Sequence, residues 1–232
     1  MTPYTEIGEM VFSTPKRDYF LRPSFSSMSR IGSPSEIVEY YAILNGHAVS
    51  SVIAAAVSSY KSVPGWLLKA ISKPAYGRKV LSTAMIVMQA CCDDDMDELI
   101  GTWYAGARGI VYRKGAMPTS DIIVLARELI EHGIIGKAKV RRLQRHENNN
   151  YVNEFRAFDY ISSARHLFEM PRTEAEQLTM TEFQLMMNAK FPEQKGFTKE
   201  EYDETRDNYL AKRAKRIQAE EANRLQSGSA AA

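Results

Sequence analysis

Residues 19–46 read YFLRPSFSSMSRIGSPSEIVEYYAILNG and decide how the first part of the chain folds. Tyr19 to Arg22 predicts a short strand that ends at the following proline. Ser33 precedes a second proline, and Glu36 comes three residues after Ser33, which is the pattern of a capping box with proline at the first helical position. Gly46 indicates the end of that helix. We therefore predict a strand, an extended RPSF segment and a helix that begins after Ser33.

The residues before this stretch predict a partner for the strand. Met10 to Phe12 is apolar, and the polar segment Ser13 to Arg17 separates it from Tyr19 to Leu21. Two apolar runs on either side of a proline-containing turn indicate a β-hairpin.

From residue 33 onward, apolar residues recur at the spacing of a helix face. The expected fold is mainly α, a multi-helix bundle with a short N-terminal β-hairpin and a long C-terminal helix. Further helices are predicted at 48–60, 66–71 and 77–92, in a segment that starts in the acidic run 93–98 and continues past Trp103, from Thr119 or Ser120 to Gly133, and at 154–169. The helix at 48–60 consists mainly of small residues, so we expect it to pack closely, and the helix at 77–92 is apolar. In the helix at 154–169 the residues expected to face inward are Phe155, Phe158, Ile161, Ala164 and Phe168.

Three further Thr-x-x-Glu pairs indicate capping boxes near the C-terminal end. They begin at Thr173, Thr179 and Thr198, and the last one starts a charged helix that continues to about Leu225. We expect five segments: an N-terminal β element at 1–30, a helical domain at 31–172, a short helix pair at 173–197, a long charged helix at 198–226 and a disordered tail at 227–232.

Composition and motifs argue against several classes of protein. A content of 44% hydrophobic and 25% charged residues is ordinary for a globular chain, and a net charge of +2 predicts no general attraction to nucleic acid or anionic membranes. We see no signal peptide and no apolar run of membrane-spanning length. Binding to a charged polymer or surface would need a local patch.

No pattern of residues indicates catalysis. The adjacent Cys91 and Cys92 are expected to be reduced thiols, and the four histidines lack the spacing of metal ligands. The acidic run Asp93 to Glu98 lacks the alternation and the glycine of a calcium loop, and no G-x-S-x-G sequence occurs. We therefore expect a protein without enzymatic activity, cofactor or metal.

Two kinds of surface are candidates for binding partners. The run GKAKVRRLQRH at 136–146 could contact phosphates or an acidic protein, although it contains no aromatic residue for base stacking; its basic residues of interest are Lys137, Arg141, Arg142 and Arg145. Two apolar helix faces could either pack on the protein's own body or bind an apolar partner segment. These faces consist of Ile37, Tyr41 and Leu44, and of Met180, Phe183 and Met187.

Three short stretches resemble tail assembly chaperones of long-tailed bacteriophages. They are Arg22 to Phe25 (RPSF), Gly32 to Val38 (GSPSEIV) and Leu178 to Phe183 (LTMTEF). The resemblance implies a non-enzymatic protein of the host cell cytoplasm that binds the tape measure protein and helps recruit tail tube subunits to it. It also implies departure before the virion is complete.

Three other expectations stay open from the sequence. The chain could be a structural minor tail or tail completion protein that remains in the particle. It could be a phage accessory protein that binds nucleic acid through 137–146, although the sequence favours this less. The long helix from Thr198 has a thin apolar stripe that could dock on a partner or on another copy of the chain.

Overall fold

A computed structural model of the chain describes residues 2–107, 109–138 and 153–192, together with 203–204, 206–213 and 215–216 in the C-terminal part. The predicted N-terminal hairpin is confirmed. Strand β1 (Met10–Ser13) pairs antiparallel with strand β2 (Asp18–Leu21), and Val11 lies opposite Phe20. Tyr19 and Leu21 alternate with exposed or half-buried neighbours and lie in the core.

A helix that the sequence did not predict begins within the RPSF segment. Ser24 is its N-cap, and the Ser24 Oγ accepts a hydrogen bond from the Ser27 N–H. Helix α1 (Phe25–Ile31) follows directly, so the prediction of an extended segment is wrong from Phe25 onward. The physical reason is that a serine cap can start a helix immediately after the restricted, extended backbone of a proline.

The capping box at Ser33 is confirmed. The Glu36 carboxylate accepts the Ser33 N–H at 2.8 Å, and helix α2 (Pro34–Leu44) starts there. The next three helices are α3 (His47–Tyr60), α4 (Gly65–Ile71) and α5 (Pro74–Cys91). Helix α5 is the apolar helix that the sequence predicts, and it packs against α1, α2 and α7, the last described below.

The aspartate-rich run leads into a single helical turn and then a second hairpin, where the sequence predicted a longer helix. Helix α6 (Asp97–Ile100) ends at Gly101, whose φ of 83° favours glycine, and strands β3 (Thr102–Gly106) and β4 (Gly109–Arg113) pair antiparallel. A Cβ atom on Gly101 would collide with the Arg113 carbonyl oxygen. The prediction failed because that glycine stops the helix before Trp103.

The remaining elements of the body are helical. They are α7 (Thr119–Ile130), a π-helical turn (Glu131–Ile135), α8 (Ala157–Phe168), α9 (Arg172–Gln177) and α10 (Met180–Lys190). The capping box at Thr179 is confirmed, whereas Thr173 lies inside α9 and Pro171 precedes that helix. Phe158 is exposed, contrary to the predicted inward stripe, because Ala157, Ile161 and Ala164 form the buried face of α8 and Phe158 lies off that face.

The hairpin β1–β2 and the helices α1, α2 and α5 to α10 contribute to one hydrophobic core. The chain divides into a compact unit Met1–Phe191 and a second unit Pro192–Ala232, so the core continues across the predicted boundaries at 30 and 172. In the second unit, residues 203–204, 206–213 and 215–216 are helical. The long helix is predicted to start at Thr198 and to end at about Leu225, and both of these ends lie outside the described residues. The fold is mainly α.

Candidate protein-binding surface

Two of the stretches that carry the resemblance lie against each other. Ser24 forms an antiparallel β-bridge with Thr179, and the Phe25 N–H donates to the Leu178 carbonyl oxygen at 2.9 Å. The rings of Phe25 and Phe183 meet edge to face with centroids 6.1 Å apart. RPSF and LTMTEF therefore form one joint between the N-terminal segment and α10.

Arg22 holds this joint together by charge. Its guanidinium lies 2.8 Å from a Glu9 carboxylate oxygen and 3.0 Å from a Glu182 oxygen, and its Nε donates to the Gln177 carbonyl oxygen at 2.9 Å. Glu9 is only 3% exposed. A carboxylate buried to that degree needs a paired cation, so this arrangement accounts for a structural role of Arg22.

The six residues predicted to bind a partner lie in or against the core of this chain. Four of them are buried: Ile37, Leu44, Met180 and Phe183. Tyr41 and Met187 are partly buried and pack against the same core. These contacts favour the alternative that both faces pack on the protein's own body, and partner binding through them stays a prediction.

The basic run is described only at its start. The Lys137 Nζ pairs with Glu128 and lies 3.2 Å from a Glu131 oxygen, so two acids of the same chain already neutralise it. Arg141, Arg142 and Arg145 lie outside the described residues, and their predicted contacts stay predictions.

The titratable groups of the core do not form a reactive cluster. Cys91 and Cys92 are buried free thiols, and burial raises the pKa of each, which disfavours the nucleophilic thiolate at neutral pH. Among the residues that the structure describes, no group of three or more His, Cys, Asp and Glu side chains could hold a metal ion.

The described helices α3 and α4 expose large apolar side chains. Tyr60 and Trp66 are 63% and 64% exposed, and the other members of this set are Val52, Val57 and Leu68. Helix α3 carries no Asp, Glu, Lys or Arg, yet most of its described side chains are exposed. We call residues 47–71 the α3–α4 surface. An apolar helix is normally covered by other parts of a protein or by a partner, so we regard this exposed surface as the candidate binding site.

The sequence around this surface has a one-sided charge. No Asp or Glu occurs from Tyr40 to Cys92, and the basic residues in that interval are Lys61, Lys69, Lys73, Arg78 and Lys79. Lys79 pairs with Glu39 at 3.0 Å. No ion pair between the other four and an acid is found within the described part of the chain.

Sequence reasoning missed this surface because alanine, valine and serine at 48–60 are also typical of a closely packed helix. The expectation of close packing is wrong, because most described side chains of α3 are exposed and Ala56 alone among them is buried. The available signal was the absence of acidic residues between Glu39 and Asp93.

In the ranges that the structure describes, no single helix is long and apolar enough to cross a membrane. One pair, Pro34–Leu44 with Val49–Tyr60, reaches that length and composition only together and is bent by 55°.

Comparison with known proteins places the chain in a family. Residues 21–204 match the model of DUF6246, a family of unknown function, and the chain belongs to that family. No curated protein and no solved structure matches the chain.

Proposed function

We propose that this member of DUF6246 is a non-enzymatic tail assembly chaperone of a long-tailed bacteriophage. It binds an apolar helical segment of the tape measure protein in the host cytoplasm and helps recruit tail tube subunits. The observation that carries the proposal is the exposed α3–α4 surface, of which Tyr60 and Trp66 are the most exposed large apolar side chains. The resemblance of RPSF, GSPSEIV and LTMTEF to tail chaperones supplies the identity of the partner.

The energetics support a surface that is covered when a partner is bound. Full burial of an apolar side chain of this size contributes about 1.5–3 kcal/mol, and five of them are exposed on α3 and α4. The same side chains leave the core unchanged when they are replaced, because they lie outside it. A helix laid along α3 would bury Val57 and Tyr60 in the manner of helix-in-groove recognition.

Co-expression of the full chain with the tape measure protein of the same phage tests this function. We expect the wild-type chain to keep the tape measure protein soluble and to co-purify with it. Trp66→Ser and Val57→Ser should lower the co-purified amount at least about tenfold, since one lost anchor of about 1.4 kcal/mol is a factor of ten. The melting temperatures of both variants should stay close to that of the wild type.

Phe158→Ser is the matched control, because Phe158 is a similarly exposed aromatic on α8. It should bind as the wild type does. The proposal fails if the tape measure protein remains insoluble beside the wild-type chain, or if Trp66→Ser and Phe158→Ser behave alike. Detection of the chain in purified virions would favour a structural minor tail or completion protein instead.

The nucleic-acid alternative receives less support from the contacts. Lys137, the described member of the basic run, is engaged by Glu128 and Glu131. A salt-dependent DNA affinity that is lost in Arg141→Gln/Arg142→Gln would restore that alternative.

A further inference from the structure

The segment that forms the α3–α4 surface, and the start of the helix that follows it, carry exposed cations. Lys61 directly follows α3 with φ at 57°, and its N–H donates to the Val57 carbonyl oxygen. Lys69 lies in the last turn of α4, and Lys73 is the residue before α5. All three side chains are exposed, as is Arg78 in α5.

We infer that the segment that binds the α3–α4 surface is an acidic amphipathic helix. Its apolar face covers Val57, Tyr60 and Trp66, and its flanking Asp and Glu residues face Lys61, Lys69, Lys73 and Arg78. This inference rests on the proposed function, since it states the chemistry of the partner that the same surface captures.

Charge complementarity is the first argument. The interval from Tyr40 to Cys92 contains no acid of its own, and the four cations have no acidic partner among the described residues. A partner that carries acids can pair with these cations, whereas a basic partner would be repelled by them. Charges at the edge of an interface mainly raise the association rate and make it depend on salt.

The shape of α3 is the second argument and favours a helix over a lipid surface. The exposed positions between Val52 and Tyr60 are mostly Ala and Ser, for example Ala54, Ala55 and Ser58. Small side chains gain little from entering a bilayer, whereas Val57 and Tyr60, on another side of α3, can pack against the apolar face of a helix. The 14 residues of α3 give a contact length of about 21 Å.

Two synthetic peptides test the inference with the full-length chain. Both form a four-turn helix with the same Leu-rich face, and one carries Glu where the other carries Lys. Fluorescence anisotropy should give an affinity at least tenfold higher for the Glu peptide, and this preference should shrink as NaCl rises from about 50 to 500 mM. Equal binding of the two peptides would overturn the inference.

Charge variants separate local complementarity from net charge. The quadruple variant Lys61→Gln/Lys69→Gln/Lys73→Gln/Arg78→Gln should lose at least tenfold in affinity for the Glu peptide. The control variant Lys114→Gln/Arg165→Gln/Lys212→Gln/Arg213→Gln removes the same charge from exposed positions elsewhere and should retain the affinity. Equal losses in both variants would reduce the effect to net charge and contradict the inference.

Other occupants have their own outcomes. Binding to phosphatidylserine vesicles without binding to the Glu peptide would replace the helix by a lipid surface. A dimer that is lost in the quadruple variant would replace the helix by a second copy of the chain.

The two proposals can fail separately. If the tape measure protein binds and Trp66→Ser abolishes this binding, while the quadruple variant binds normally, the inference fails and the proposed function stands. If the Glu peptide binds but the tape measure protein does not, the proposed function fails and the surface chemistry stands.

Discussion

Arg22 connects three parts of the chain that are far apart in sequence. It reaches Glu9 before β1, Glu182 in α10 and the Gln177 carbonyl oxygen at the end of α9. Glu9 also accepts the Tyr4 N–H, so its buried carboxylate has two partners. The RPSF motif is therefore explained by its structural contacts, and partner binding is not needed to account for its arginine.

Replacement of Arg22 by methionine should lower the free energy of unfolding by about 3 kcal/mol, because it leaves the Glu9 carboxylate buried without a cation. Urea unfolding measures this loss. Lys16→Met breaks the exposed pair with Glu98 and should cost less than about 1 kcal/mol. Adding Glu9→Gln to Arg22→Met should restore part of the stability. Equal losses in the free energy of unfolding for Arg22→Met and Lys16→Met would show that the Arg22 contacts stabilise the fold no more than an exposed ion pair does.

At the scale of the elements, the π-helical turn is attached to α10 through His132. This imidazole is buried, and its Nδ1 lies 2.8 Å from the Thr181 Oγ1, which also accepts the Lys137 N–H at 3.0 Å. Burial lowers the pKa of His132, the positive charge of Lys137 lowers it further, and Glu128 and Glu131 oppose both effects. The folded state therefore favours the neutral imidazole.

This pKa shift makes the stability depend on pH in a defined direction. The contribution of His132 is fully present above the ordinary value of 6.5 and is lost as the pH falls below it, because the unfolded chain takes up a proton that the folded chain binds more weakly. Unfolding free energies measured from pH 7.5 to 5 should fall less steeply in His132→Gln than in the wild type. A slope in His132→Gln identical to that of the wild type would contradict the assignment.

The sequence predicted those helices whose first residue is determined by side chains within a few positions along the chain. The capping boxes of α2 and α10 need only four consecutive residues and a favourable side chain at each end. Helix α1 has seven residues, which is too short for an apolar period to be recognised, and its cap lies inside a proline turn. The β3–β4 hairpin depends on the close approach of Gly101 to Gly115, a contact that adjacent residues do not indicate.

The candidate site was harder to predict than the fold for a related reason. Ile37, Leu44, Met180 and Phe183 have the spacing of a helix face, and that spacing does not distinguish a face covered by the same chain from one that awaits a partner. The small residues of α3 predict packing, but only tertiary structure shows that the chain leaves them open. Burial is decided by contacts distant in sequence, so the α3–α4 surface could be identified only after the core was known.

At the scale of the whole molecule, a nearly balanced net charge conceals a strong local asymmetry. The chain carries a net charge of +2, whereas the interval from Tyr40 to Cys92 contains basic residues and no acid. The other intervals supply the compensating acids, several of which form ion pairs with their own arginines and lysines. Attraction between charges acts over about 10 Å at 0.1 M salt, so a partner senses this local charge more than the total.

The unit Met1–Phe191 should fold without the residues that follow it. Within the described residues, the buried members of the hydrophobic core lie between Tyr19 and Phe183, and the joint around Arg22 is complete within the same unit. A chain that stops after Pro192 should therefore unfold in one cooperative thermal transition, with a melting temperature within about 4 °C of that of the full chain, which corresponds to roughly 1 kcal/mol at this size. Far-UV and near-UV circular dichroism measure the transition.

A chain that ends after Leu178 is the control. It should fail to unfold cooperatively, because it lacks Met180, Phe183 and the Glu182 carboxylate that pairs with Arg22. Loss of cooperative unfolding in the longer chain would mean that residues beyond Pro192 belong to the folding unit.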